Sequence, residues 1–203
     1  MAKKKTFFFN RKKDAVEFKP DAKKATWLKT ARLTRQQRLR LTKWVLNVLT
    51  AVLCLVVQDV VMSQFNLFGA TTDLAVSVIL LITVIEGTEV GSLFVLIASA
   101  LYYFSGSAPS AWCVGLMTVL GVTAVLLRQM YWHRSKGSIV MCSGIAVIAY
   151  EMGLFVVGIL SGLTLWSRMG AFLLSGLYSA LTMIPLYSLI YKIGQIGGNT
   201  WKE

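Results

Sequence analysis

The chain is poor in the residues from which active sites and metal centres are usually built. Its 203 residues contain one histidine, His133, and three cysteines, Cys54, Cys113 and Cys142. The cysteines stand singly in separate apolar stretches, and none forms a CxxC pair. That pattern argues against a zinc centre or a disulfide framework, and lone apolar cysteines read as small core residues. There is no HExxH, no P-loop and no pair of aspartates within one helix. Ser107 lies in Gly106-Ser107-Ala108 rather than in a G-x-S-x-G turn, and His133 is expected at the opposite end of the molecule. The chain therefore reads as a non-enzyme with no cofactor and no metal.

Charge is also scarce over most of the chain. Of the 21 Lys and Arg, 15 lie between Lys3 and Lys43; six remain from Trp44 onward, against six acids. The net charge of +12 thus belongs to the first 43 residues. This segment is too long and too charged for the n-region of a cleaved signal peptide, so it is expected to stay attached. It reads as a topology determinant that also binds the anionic inner leaflet, at about 1 kcal/mol per basic side chain near the surface. From Trp27 to Lys43, Trp27, Leu28, Ala31, Leu39 and Leu41 alternate with basic residues, which predicts an interfacial helix. Nucleic acid is not an expected partner.

What the chain has in quantity is apolar sequence. Hydrophobic residues make up 56% of it, above the roughly 45–50% of a soluble domain. A spanning helix needs about 20 residues, and Trp44–Met62, Ala111–Leu127, Ser138–Leu160 and Met169–Tyr191 each supply one. Residues 73–104 are interrupted by Glu86-Gly87-Thr88-Glu89. Two acids at the bilayer centre would cost several kcal/mol, so a turn there predicts two short helices, Asp73–Ile85 and Val90–Phe104. With six spans and both termini cytoplasmic, every Lys and Arg except Arg168 falls on the cytoplasmic side, as the positive-inside rule requires; five spans move Arg128, Arg134 and Lys136 outside. Trp44, Trp112, Trp132 and Trp166 lie near the expected helix ends, at headgroup level. The expected organisation is a basic segment 1–43, a six-helix transmembrane domain 44–194 and a short cytoplasmic tail 195–203.

Four groups of residues stand out within this frame. Glu151, mid-helix, must face the protein interior or a wet cavity. Gly144, Glu151 and Gly158 share a helix face, which Gly162 continues, and with Tyr150 they read as a packing seam. Its carboxyl is expected to be structural, the alternative being a ligand or proton site. Gly87-x-x-x-Gly91 opens the third helix as a packing or partner surface, with Glu86 and Glu89 solvated at the cytoplasmic face or paired with basic residues. Gln58, Asp59 and Asp73 gather near the outer ends; Asp73 reads as an N-cap, and the three together as a polar outer mouth. The short loops 63–72 and 105–110 offer few polar groups for a pocket.

From Gln58 onward these residues fall in the order of a known pattern. Gln58 ends the first helix; Asn66-Leu67-Phe68-Gly69 and Thr72-Asp73-Leu74 follow, Thr72 standing where the pattern has proline. Then come Glu86-Gly87 with Gly91, Tyr150-Glu151, and Pro185-Leu186-Tyr187 late in the last helix. Over about residues 44–194 the chain resembles the bacterial rod shape-determining MreD family. The resemblance implies a six-helix fold like that of the S components of energy-coupling-factor transporters. It also implies a non-catalytic scaffold of the cell-wall elongation machinery in the cytoplasmic membrane. The implied partners are a bitopic MreC-like protein, the wall synthases and the actin-like MreB. The rival reading is an S component, but such proteins carry an Ala-x-x-x-Ala docking motif in the first helix, and Trp44–Met62 has none.

Overall fold

The computed structural model describes residues 35–61, 70–131 and 136–196. The interfacial helix expected from Trp27, the Asn66–Gly69 motif and Trp132 lie wholly or partly outside those residues. Among the described residues every regular element is helical. Six α-helices follow in order: α1 (Arg35–Val60), α2 (Leu74–Glu86), α3 (Thr88–Phe104), α4 (Trp112–Tyr131), α5 (Lys136–Leu160) and α6 (Met169–Gly194), the last preceded by a single 3-10 turn at Trp166–Arg168. Four of them, α1, α4, α5 and α6, are long and apolar enough to cross a membrane. The two short helices predicted between residues 73 and 104 are present, one residue out of register at the N-terminus of α2 and two at that of α3. The first long helix begins nine residues before Trp44, so Lys43 is part of it.

α2 is the centre of the fold. It is apolar all round, which is the pattern of an enclosed helix rather than a surface one. All 13 of its residues are buried, and it packs against each of the other five helices. At 1.5 Å per residue it is roughly 20 Å long, shorter than the hydrocarbon core of about 30 Å. The other five helices turn their large apolar side chains outward. On α1 these are Val45, Leu49, Val52, Val56 and Val60; on α6 they are Leu173, Leu177, Leu181 and Ile184. Buried instead are Lys43, Asn47, Glu86, Arg128 and Glu151. So wide an exposed apolar surface belongs in lipid, and the fold is that of an all-helical membrane protein.

A short helix enclosed at this depth must find partners inside the protein for the free backbone groups at both of its ends. At its N-terminus, Asp73 accepts from the Val76 N–H (3.3 Å), Gln58 Oε1 accepts from the Ala75 N–H (2.7 Å) and Ser179 Oγ accepts from the Asp73 N–H (2.8 Å). The expected Asp73 cap is thus observed, reinforced from α1 and α6. At the C-terminus, the Thr83 carbonyl accepts from the Gly87 N–H (3.2 Å), and the Arg128 guanidinium donates to the Val84 carbonyl. Arg128 had been expected in a cytoplasmic loop. It lies inside α4 instead, 8% exposed, where its charge serves the C-terminal end of α2.

Candidate functional site

Polar side chains collect at the two ends of α2. At the Glu86 end, Lys43 Nζ is 2.7 Å from Glu86 Oε2, and Asn47 Nδ2 donates to Glu86 Oε1 at 2.8 Å. The lysine and glutamate side chains are 7% and 3% exposed. Glu86 is therefore not solvated: it is the last residue of α2, and its carboxylate is held by two residues one turn apart on α1. Burial of this carboxylate is possible only because a cation and an amide donor accompany it. Glu89, in the first turn of α3, is exposed and suits the positive end of that helix.

Gly87 and Gly91 are buried between α2 and α3. Gly87 makes the turn with φ 88° and ψ −173°, a conformation open essentially to glycine alone. A Cβ on Gly91 would lie 2.3 Å from the Thr83 carbonyl oxygen. Of Glu86, Gly87, Glu89 and Gly91, only Glu89 is exposed; Glu86 ties α2 to α1, and the two glycines bring α3 close against α2.

At the Asp73 end, Gln58, Asp59 and Asp73 do come together, and Glu151 joins them. The four line one cavity of about 340 Å³, whose walls also include Thr71, Thr72, Tyr102, Ser107, Pro109, Leu154, Phe172 and Ser175. The polar groups come from helix flanks as well as from the loops judged too short to supply a pocket. Tyr102 Oη donates to Asp73 Oδ2 at 2.8 Å, and Ser107 Oγ donates to Asp59 at 3.0 Å. Glu151 is 6% exposed and Asp59 is exposed, so the cavity runs from the surface into the bundle. Among the described residues, no Lys or Arg lines it. Its volume lies at the lower end of the range for small-molecule pockets, about 300–1,000 Å³.

The seam on α5 divides into two parts. Gly144 faces Ala180 of α6 at ordinary contact distance, and Tyr150 is fully buried. Gly158 and Gly162, however, form the C-cap of α5 rather than a packing motif. Gly162, with φ 68°, lies past the helix end; the Gly162 N–H donates to the Ile159 carbonyl and the Leu163 N–H to that of Gly158, both at 2.9 Å. Those two bonds define a Schellman motif. The glycine that lets α6 approach α5 beside Glu151 is Gly176, where a Cβ would meet Ile148 Cα at 3.2 Å and Glu151 Cβ at 3.6 Å. Sequence reasoning passed over it, and likewise missed Asn47 and the buried role of Lys43.

Comparison of the chain with family models, with curated proteins and with solved structures returns no match.

Proposed function

We propose that the chain is a non-catalytic scaffold of the bacterial cell-wall elongation machinery, resembling MreD. In this reading it crosses the cytoplasmic membrane six times, with both termini in the cytoplasm and the Asp73 end outside. Its direct partner is a bitopic MreC-like protein, and the wall synthases and MreB belong to the same assembly. The basic N-terminal segment binds anionic lipid.

One observation supports this reading above the rest. Five of the residues that carry the resemblance are ones on which the enclosure of α2 depends. Gln58 and Asp73 satisfy its first turn, Glu86 ends it in a buried ion pair, and Gly87 and Gly91 allow α3 to fold back along it. A pattern of short motifs that matches in order, and whose members each have a separate task in holding one fold, is evidence for that fold. Because α2 is enclosed, recognition within the bilayer falls to the exposed face of α3, with Leu93, Leu96 and Leu101 and with Glu89 at its end.

The cavity favours a second reading, an S component of an energy-coupling-factor transporter, since a pocket open to the outside is what such a protein needs. Its first helix offers no Ala-x-x-x-Ala for docking, and Ala51 is the only alanine in α1. A gentle-detergent pull-down of the tagged chain from its own membranes, followed by mass spectrometry, separates the two. The scaffold reading expects an MreC-like protein and wall synthases. Paired ATPases with a membrane coupling subunit would replace it with the transporter reading.

A further inference from the structure

We infer that the groove between α1 and α3 is the interface of a homodimer. Two copies of the chain, inserted in the same direction, face each other there across a twofold axis along the membrane normal. A second copy in this groove goes beyond the scaffold reading and does not rest on it.

α1 and α3 both pack on α2 but scarcely on each other. Between them runs a groove walled by residues 48–55 of α1 and 94–101 of α3, with Ile79 of α2 at its floor. Every lining side chain is apolar, and the enclosed space is only about 10 Å³, barely that of one water. It suits the side chains of a facing pair of helices rather than a separate ligand. In lipid, helices associate through close packing, and Ala51 and Ala98 place one small residue on each wall. The ridges that flank the groove are exposed: Val45 and Val52 on α1, Leu93, Ile97 and Leu101 on α3.

Charge identifies the occupant. Both helices start at the Glu86 end and run the same way: α1 from Lys43 beside Glu86 to Gln58 beside Ala75, α3 from Glu89 to Tyr102 beside Asp73. Trp44 and Phe94 meet edge to face, with ring centroids 5.9 Å apart, which fixes the register of the two helices. Arg38 and Glu89 precede that contact by six and five residues, so at 1.5 Å per residue they stand within about 2 Å of the same depth. Arg38 shares a face with Val45 and Val52, spaced by seven, and Glu89 begins the ridge of Leu93, Ile97 and Leu101, spaced by four. Both are exposed, and among the described residues neither makes an ion pair. A twofold axis sets α1 of one copy against α3 of the other, because an isologous interface makes each contact twice. Arg38 of each copy thereby meets Glu89 of the partner subunit at one depth, and the four helices close as a bundle over the two grooves. A foreign helix would have to bring both signs of charge to this depth; the chain's own surface already carries them.

The test co-expresses two differently tagged full-length variants, Val52→Cys and Leu101→Cys, and oxidises their membranes with copper phenanthroline. Val52 and Leu101 stand on opposite walls of the groove and follow the Trp44–Phe94 contact by eight and seven residues, so the dimer brings them face to face. The expected result is a disulfide-linked species of twice the chain mass carrying both tags. Val52→Cys paired with Ile145→Cys, exposed on α5, should give none. Arg38→Glu in both copies should lower the cross-linked yield about tenfold, as two attractive pairs become repulsive, and adding Glu89→Arg to both should restore it. Absence of the doubly tagged species, or an equal yield with Ile145→Cys, overturns the inference. So does a yield indifferent to Arg38→Glu, or one that Glu89→Arg does not restore. Linkage of either cysteine to a different membrane protein in place of the doubly tagged species also overturns it.

Discussion

Replacing Lys43 by Met is expected to destabilise the folded protein by about 3–5 kcal/mol, the usual cost of removing one partner from a buried ion pair. The lysine and glutamate side chains are 7% and 3% exposed, so Lys43→Met would leave the Glu86 carboxylate uncompensated, with only Asn47 beside it. Removing both charges, as Lys43→Met with Glu86→Leu, is expected to recover most of the loss. What destabilises is the orphaned charge, since a pair replaced by apolar residues of similar size is often neutral. The double variant should therefore melt well above the sum of the two single effects, by the non-additivity that a double-mutant cycle measures. Thermal unfolding of the four proteins in detergent gives the cycle. Additive losses, or a Lys43→Met protein that melts like the parent, would mean that water reaches the pair.

Gly91→Ala should be nearly as damaging, although it adds one methyl group. The new Cβ would sit 2.3 Å from the Thr83 carbonyl oxygen and 3.1 Å from its carbon, against the roughly 3.5–4.0 Å at which such atoms pack without strain. Neither atom is the free end of a side chain, so α3 must move away from α2 by about an ångström. The Thr83 carbonyl also accepts from the Gly87 N–H at the turn, and that bond would be disturbed by the same movement. Overpacking of this kind costs about 1–3 kcal/mol. Gly115→Ala is the control: nothing lies within 4 Å of a Cβ there, and an alanine inside a helix favours it by up to about 1 kcal/mol. A Gly91→Ala protein as stable as the Gly115→Ala one would contradict the close approach of α2 and α3.

The sequence made helix existence and approximate length readable because those follow from apolar runs and the residues that interrupt them. Asp73 could be read as a cap because capping is local: the donor lies three residues on. Pairing of Glu86 with a basic residue stood only as the alternative to solvation, and its partners could not be picked out, since Lys43 and Asn47 are 43 and 39 residues away and a basic residue at a helix start looks like a topology signal. Arg128 misled for the same reason. The positive-inside rule counts it toward a loop, while a guanidinium is also long enough to reach the last carbonyls of an enclosed helix. Gly158 and Gly162 have the spacing of a packing motif, and only the backbone distinguishes that from a C-cap. The cavity was half legible: Gln58, Asp59 and Asp73 cluster in the first part of the chain, but Glu151 reaches them through the packing of α5, which no local pattern records.

Both the scaffold reading and the sidedness of the cavity depend on six crossings with the Asp73 end outside. All three cysteines of the chain are buried, so an introduced one can be labelled over a low background. Ala111, Ser161 and Glu89 are exposed, the first two at the Asp73 end and the third at the Glu86 end. With a membrane-impermeant maleimide on intact cells, Ala111→Cys and Ser161→Cys should react at once, and Glu89→Cys only after lysis. Labelling of Glu89→Cys in intact cells, or protection of either of the others until lysis, would contradict the six-span arrangement.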